Sequence, residues 1–374
     1  MARQEITLQE VKNRQDLMAF IRFPWKIYQG DRYWVPPLIK DQLQKFNPKH
    51  PFQSHAEMIL YLAYQGSEIV GRIAGIIDRH YVEFNQEKVG FFGFFESIKD
   101  PEVAQALLSE VSSWLKGHGM EKMIGPMNPS TNDECGILVE GFNISPAMMM
   151  PYNPPYYASL FEGFGLKKGM DLYAYWLEES TFNYDRLNRI TERIQKREPQ
   201  LSVRPLNLRC FDDELRIIKE IYNQAWSKNW GFVPMTEEEI DDLAKNLKPL
   251  VVPDLILISS WEGEPFGFSV ALPDYNEVLK HLNGEIGPLG LLKFFYYSRK
   301  IKSVRVMLLG IKHAFQKKGV EGLLYIETFK RGIKKGYNQG ECSWILENNL
   351  LMQHGIERMG GRRYKTYRIY EALL

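Results

Sequence analysis

The residues whose spacing most clearly permits chemistry lie in the last third of the chain. An apolar strand pattern over 304–311 leads into Gln316-Lys317-Lys318-Gly319-Val320-Glu321-Gly322, then a helical segment and a second apolar strand. A strand that opens onto a glycine-containing turn and a helix N-terminus leaves backbone N–H groups unpaired and aimed outward, an arrangement suited to a pyrophosphate. Groups able to move protons stand nearby in sequence or in a second cluster. His313 follows the strand and has an ordinary pKa of about 6.5; it is either a base or a surface residue. Glu347 ends the second strand, as a proton acceptor or as a helix-start carboxylate. Asp133 and Glu134 adjoin in a polar loop that also holds Asn128, Ser130, Thr131, Asn132 and Cys135. Neighbouring carboxylates in a partly buried loop raise one another's pKa, although these two also suit a turn. Met148–Met150, Tyr156 and Tyr157 have the character of an adaptable pocket wall.

Such groups need a scaffold. Periodicity in the first half gives a strand at 6–11, a helix at 15–28, a turn at Trp34-Val35-Pro36-Pro37 and a short helix ending near Phe46. Strands follow at 58–63, 69–78 and 89–95. Asp100-Pro101-Glu102 starts a helix over 103–117, with Pro at its first position. A strand at 122–125, the polar loop, a helix at 155–163 and a strand at 170–177 complete this half. The second half runs through a strand at 201–207, a helix at 212–228 and a helix opened by Thr236 and three glutamates. A hairpin at 255–261 and 265–273 precedes a less regular insertion at 274–300. The strand at 304–311, a helix at 321–336, a strand at 341–346, a helix at 349–359 and a strand at 364–370 finish it. The halves share an element order rather than residue identity. The expected fold class is therefore α/β (α+β), with domains at 1–178 and 179–374, each a mixed, mostly antiparallel sheet flanked by helices.

Length and composition agree. The 374 residues suffice for two cores, and 44% hydrophobic with 25% charged content is ordinary for a globular protein. No apolar run reaches the roughly 18 residues that cross a bilayer. Cys135, Cys210 and Cys342 are far apart and lack metal-ligand spacing, so a cytoplasmic setting and no metal are expected. The net charge of +1 conceals an asymmetry: residues 295–374 hold sixteen Lys/Arg against six Asp/Glu. That end favours an anionic partner, whether a phosphorylated cofactor, a nucleic acid or a membrane surface. The aromatic runs 91–95 and 294–297 are read as an apolar tunnel, or as core or interface.

The element order resembles the GNAT superfamily of acyl-CoA N-acyltransferases. Its turn motif, Gln/Arg-x-x-Gly-x-Gly/Ala, is matched at Gln316 and Gly319, with Glu321 at a small-residue position and Gly322 directly after. Glu347-Asn348-Asn349 followed by Met359-Gly360-Gly361 resembles the second motif. Gly355 and Ile356 stand where that motif often carries a tyrosine acid; Tyr364, Tyr367 and Tyr370 of the last strand are read either as holding a substitute for it or as core. In the first half, Asn153-Pro154-Pro155-Tyr156-Tyr157 and Phe164-Gly165-Leu166 resemble the second motif, but Phe95-Glu96-Ser97 lacks a glycine turn. Over its whole length the chain is similar to bacterial tandem GNAT-like proteins, through 125–136, 344–349 and 364–370.

The resemblance implies acyl-CoA, as acetyl-CoA or a longer thioester, bound in the second domain and not in the first. A primary amine, from a small molecule or a long-chain amino lipid, attacks the thioester directly, without a cysteine nucleophile. Leu309, Gly310 and Ile311 are the expected oxyanion region. Gln316, Lys317, Lys318, Gly319, Val320, Glu321 and Gly322, with Asn348 and Asn349, hold the cofactor. The base is Glu347, His313, Asp133 or Glu134, and the acceptor meets Asn128, Thr131, Asn132, Tyr156 and Tyr157. Two alternatives keep the fold: an aminoacyl-tRNA-dependent transferase and a catalytically degenerate binding protein. The chain lacks the basic helical arm of many tRNA-dependent relatives, so nucleic acid is not the expected partner. Peripheral membrane contact is compatible with the basic end, and the oligomeric state is open.

Overall fold

The computed structural model describes residues 5–182, 184–316 and 320–374, with Val320 and Glu321 by their backbone alone. The chain forms two compact units interleaved in sequence. The first comprises Met1–Leu172, Val278–Phe295 and Lys365–Leu374; the second comprises Tyr173–Glu277 and Tyr296–Tyr364. Pairing explains why the chain returns to the first unit. Residues of the last strand ladder onto strands of the N-terminal half. Val278–Phe295 is tied there by Ile39 N–H donating to Gly284 O at 2.9 Å and Trp25 Nε1 donating to Asn283 Oδ1 at 3.0 Å.

In the first unit, β1 (Ile6–Glu10), β2 (Ala56–Gln65), β3 (Glu68–Asp78) and β4 (Val89–Ser97) form an antiparallel run. β5 (Lys122–Gly125) adds in parallel to β4. The short pair β6 (Met127–Asn128) and β7 (Glu134–Cys135) and then β8 (Ile137–Glu140) follow, and the strand β9 (Lys167–Glu178) begins in this unit. The helix Pro101–Gly117 starts where the sequence requires. Asp100 accepts from the Glu102 N–H at 2.9 Å, Pro101 fills the first position, and Val103, Leu107, Leu108, Val111 and Leu115 form a buried stripe. Glycines let it lie close to the sheet: a Cβ at Gly71 would come 2.7 Å from Leu107, and one at Gly90 2.3 Å from Leu115.

The second unit orders β10 (Leu201–Pro205), β11 (Ile256–Trp261), β12 (Glu264–Pro273), β13 (Ser303–Ile311) and β14 (Gln339–Leu346). All pairs are antiparallel except β13 with β14. One core joins Val304, Val306, Leu309 and Ile311 to Leu323, Leu324, Ile326 and Phe329 of the helix Val320–Lys334. A second core seats the helix Phe211–Trp226 on Ile256, Phe268 and Val270. Thr236 caps the helix Glu237–Leu247 through a reciprocal box, its N–H donating to Glu239 Oε2 at 2.8 Å and its Oγ1 accepting from Glu239 N–H at 3.2 Å.

The strand β15 (Arg362–Leu373) closes the chain order, pairing with β8 through Thr366–Arg368 and with β5 through Tyr370–Leu373. Several elements were not expected from sequence: the helix Arg79–Asn85, the short strands β6, β7 and β8, and one longer helix. The helix Tyr184–Arg197 lies between β9 and β10, burying Leu187, Thr191 and Ile194. The insertion at 274–300 contains two helices, Asn276–Leu279 and Pro288–Ser298. Among the described residues no helix is long and apolar enough to cross a membrane.

Candidate active site

The second unit contains an opening between two parallel strands. β13 and β14 ladder only through Ser303–Gln339 to Val306–Cys342, although both strands run on, to Ile311 and Leu346. Beyond Val306 the β14-facing edge of β13 carries no ladder, whereas its other edge stays paired to β12 as far as Ile311. The β12 register shifts at this point: Val270 faces Leu308 and Ala271 faces Val306, leaving Met307 as the extra residue of a bulge. The bulge reverses side-chain alternation. Val304, Val306, Leu309 and Ile311 therefore share one core, while Leu308 joins the other and Gly310 lies under Trp226. A Cβ at Gly310 would come 2.1 Å from the Trp226 ring.

At the closed end of this opening sits a buried polar network. The parallel register sets Arg305 opposite Glu341, and Ser343 follows two residues on. Arg305, Glu341 and Ser343 are all buried. Arg305 Nε donates to Ser343 Oγ at 2.8 Å, and the Ser343 and Tyr364 hydroxyls both donate to the Glu341 carboxylate. Arg305 Nε lies 3.9 Å from the same carboxylate. A buried carboxylate held by two hydroxyls and a guanidinium is fixed in place. Cys342, between Glu341 and Ser343, is no nucleophile: burial and then the nearby carboxylate push its thiol far above the ordinary range.

The turn after β13 is anchored to the strand. Phe315 stacks on Phe266 with centroids 4.4 Å apart, and Gln316 Nε2 donates to Ile311 O at 3.2 Å. Lys317, Lys318 and Gly319, and the side chains of Val320 and Glu321, lie outside the described residues. In the first turn of the helix that follows, a Cβ at Gly322 would meet no described atom within 4 Å. A ligand can approach the helix N-terminus closely there. His313 is exposed in the turn. Glu347 and Asn348 form the turn after β14. Asn349 caps the helix Leu350–Arg358, its side chain accepting from Met352 N–H at 3.2 Å. Gln353, unremarked in the sequence, ties that turn down by donating to the Leu346 and Glu347 carbonyls at 3.1 and 2.9 Å.

The first unit treats the equivalent place differently. β4 and β5 ladder through Val89–Lys122 to Phe91–Ile124, and a register shift opposite β3 again follows in β4. Here the chain fills the opening itself. Phe94 N–H donates to Asn128 Oδ1 at 2.6 Å, and a Cβ at Gly93 would come 1.7 Å from Met127 O. The polar loop gathers around this plug. Ser130 Oγ donates to Asp133 Oδ2 at 2.8 Å, and Lys45 Nζ donates to Asn128 O at 2.9 Å and lies 4.0 Å from Asp133. Glu134 faces Asn128 across the β6–β7 pair, and Asn132 N–H donates to Ser130 Oγ at 3.1 Å. The buried Thr131 Oγ1 meets no hydrogen-bond partner among the described residues. Tyr157 is buried, donating to Glu96 at 2.6 Å and accepting from Ser97 N–H at 3.0 Å, while Tyr156 donates to Ser97 O at 2.8 Å. Burial raises the Glu96 carboxyl, against the pull of Arg72 and the two phenols Tyr157 and Tyr28.

Of the expected site residues, the second unit thus brings together Leu309, Gly310, Ile311, Gln316 and Gly322 around β13, and Glu347 and Asn349 at the end of β14. Asn128, Asp133 and Glu134 gather in the first unit. Arg305, Glu341 and Ser343 were not anticipated. The signal for them was a charged residue inside each of two apolar strands. Among the described residues no group of three or more His, Cys, Asp or Glu is arranged to hold a metal ion.

No family model matches the chain. The chain is 36% identical over 380 residues to the bacterial ceramide synthase of Caulobacter vibrioides, covering 99% of this chain and 98% of that one. It is also 36% identical over 366 residues to Protein YghO of Escherichia coli, covering 96% and 93%. Among solved structures, a tandem GNAT protein from the clavulanic acid biosynthesis pathway superposes with a TM-score of 0.56 at 10% identity, covering 99% and 98%. The chain belongs to the family of that bacterial ceramide synthase, and its fold is that of the tandem GNAT proteins. It is an N-acyltransferase, and the GNAT fold implies acyl-CoA as its co-substrate.

Proposed function

We propose that this acyltransferase moves the acyl group of a long-chain acyl-CoA onto the primary amine of a sphingoid-type lipid, using the opening in the second unit. One observation carries that choice of unit. The β13 edge beyond Val306 is left without a ladder, while the corresponding edge in the first unit is taken by Asn128. Backbone N–H groups around Leu309, Gly310 and Ile311 suit a carbonyl oxygen that gains charge. Gln316 and the helix N-terminus at Gly322 suit the diphosphate, and Lys317, Lys318 and Gly319, between them in sequence, add two positive charges and a glycine. Asn348 is the neighbouring polar group at the end of β14. When bound, acyl-CoA supplies the activated thioester carbonyl.

The chain's own task is to take a proton from the attacking ammonium. In this reading the Tyr364 oxygen receives it while the Tyr364 proton passes to Glu341. Arg305 and Ser343 act as positioning residues for that carboxylate. Glu347 and His313, at the ends of the two strands, are the bases to compare with it. Asp133 is already held by Ser130 and Lys45, which argues for a structural role. The acceptor class comes from the relative: a ceramide is an N-acylated sphingoid amine, and the similarity to the ceramide synthase spans 99% of the chain. The reading goes with a cytoplasmic location, where long-chain acyl-CoA is made.

The test is direct. The purified chain is incubated with palmitoyl-CoA or acetyl-CoA and sphinganine, and N-acyl product and free CoA are quantified by mass spectrometry. Equimolar product and CoA are expected, with the longer donor preferred. Neither product nor saturable calorimetric binding of either thioester would overturn the reading.

A further inference from the structure

The helix Pro288–Ser298 has no buried residue. Leu289 is 76% exposed, Leu292 67% and Phe295 61%, with Leu291 and Tyr296 also exposed. At 3.6 residues per turn these five side chains occupy one continuous arc of about 160°. Gly290, Phe294 and Tyr297 fall on the other side and are the less exposed positions. The helix therefore rests on the protein by its narrow side and presents its wide apolar side outward. Ile286, 43% exposed, extends the patch toward the helix start. Solitary exposed leucines need no explanation, but a continuous arc of five large apolar side chains does.

The charges around this arc identify its partner. Residues 286–302 contain Lys293, Arg299, Lys300 and Lys302 and no Asp or Glu. The nearest acid in sequence, Glu285, is paired with Arg22 at 2.7 Å. Lys300 lies 4.1 Å above the Tyr296 ring and donates to its hydroxyl at 2.6 Å, which holds this charge at the rim of the apolar arc. Apolar side chains bounded by cations, with Glu277 held at the Lys302 and Ser303 N–H groups and Glu285 on Arg22, suit the interface of a bilayer that carries anionic headgroups. A protein partner would leave the four like charges without counterions unless it were strongly acidic. We infer that the helix Pro288–Ser298 docks the enzyme on an anionic phospholipid surface, where a long-chain amine resides. The inference rests on the lipid acceptor proposed above and adds where that acceptor is met.

The full chain is mixed with vesicles of equal parts phosphatidylcholine and phosphatidylglycerol, without acyl-CoA, and co-flotation is measured. Binding is expected, falling about tenfold or more on vesicles of phosphatidylcholine alone or in high salt. The triple variant Leu289→Glu, Leu292→Glu, Phe295→Glu should lose vesicle binding by a similar factor. It should keep its melting temperature and its turnover of detergent-dispersed sphinganine. Equal binding to neutral and anionic vesicles, or unchanged flotation of the triple variant, overturns the docking inference. So does a wild-type dimer that the triple variant breaks while flotation persists, because the arc would then be a subunit interface. Loss of acylation with intact flotation instead refutes the proposed reaction and leaves the docking standing, so the two ideas fail separately.

Discussion

The two units answer the same topological problem in opposite ways. In each, one parallel pair interrupts an antiparallel sheet, and a bulge follows where the ladder ends. In the first unit the chain turns back through Met127 and Asn128, and an amide oxygen satisfies the Phe94 N–H. In the second the strands diverge, and the polar investment lies deeper, in Arg305, Glu341, Ser343 and Tyr364. A parallel pair with one open end is therefore a scaffold for binding only if nothing local fills it. One half-buried carboxamide is enough to fill the scaffold from within.

Changes that would break this contrast can be ranked. The largest effect belongs to Glu341→Gln, expected to lower kcat about 10²- to 10⁴-fold while acyl-CoA binding changes little. Tyr364→Phe should show a smaller loss in the same direction, and unchanged kcat in both would remove the relay. Next is Gly322→Trp. No described atom lies within 4 Å of a Cβ at that position, so thermal melting should stay near wild type while calorimetric affinity for acyl-CoA falls about 100-fold. Wild-type affinity in that variant would move the cofactor elsewhere. Asn128→Ala should cost the first unit about 1–3 kcal/mol by leaving the Phe94 N–H buried and unpaired, read as a lowered melting temperature. Its acyl-CoA stoichiometry should remain one per chain, and a second equivalent would show that the plug alone separates the units.

The smallest effect concerns pH. Burial raises the Asp171 carboxyl, but hydrogen bonds from Arg368 and Lys168 outweigh it and hold the group below its ordinary value. A depressed carboxylate stabilises the fold above its unfolded pKa of about 3.9 and loses that contribution as pH falls through the folded value. Asp171→Asn should therefore lower stability by about 2 kcal/mol at neutral pH. The difference should vanish in strong acid, as followed by denaturant unfolding. A gap independent of pH would mean that packing, not the Arg368 pair, carries the effect.

Much of this was legible before any coordinates. The strands of both halves, the Pro101 helix start and the Thr236 cap are local features, and local patterns predict them. The helix Tyr184–Arg197 was missed because ten of its fourteen residues are polar or charged around Leu187, Ile190 and Ile194, whose spacing is nonetheless helical. The Glu341 network was hidden for a different reason. Arg305 and Glu341 meet only through the parallel register, and register is a property of the sheet rather than of either segment. The contact between Asn128 and the Phe94 N–H was not legible, because a polar loop that plugs a sheet has the same composition as one that meets a ligand. Conversely, the aromatic run at 294–297 divides between helix sides, a distinction that periodicity supplies once the helix is known.

The placement of β15 bears on how the protein is made. Lys365–Leu374 belongs to the first unit, laddering onto β5 and β8 that were synthesised more than two hundred residues earlier. The amino-terminal half must therefore wait with a sheet edge unfilled, exposing β5 until Lys365–Leu374 has been made. A late segment that completes an early unit delays folding until that segment is synthesised, and a product truncated before it is left as prey for chaperones and proteases.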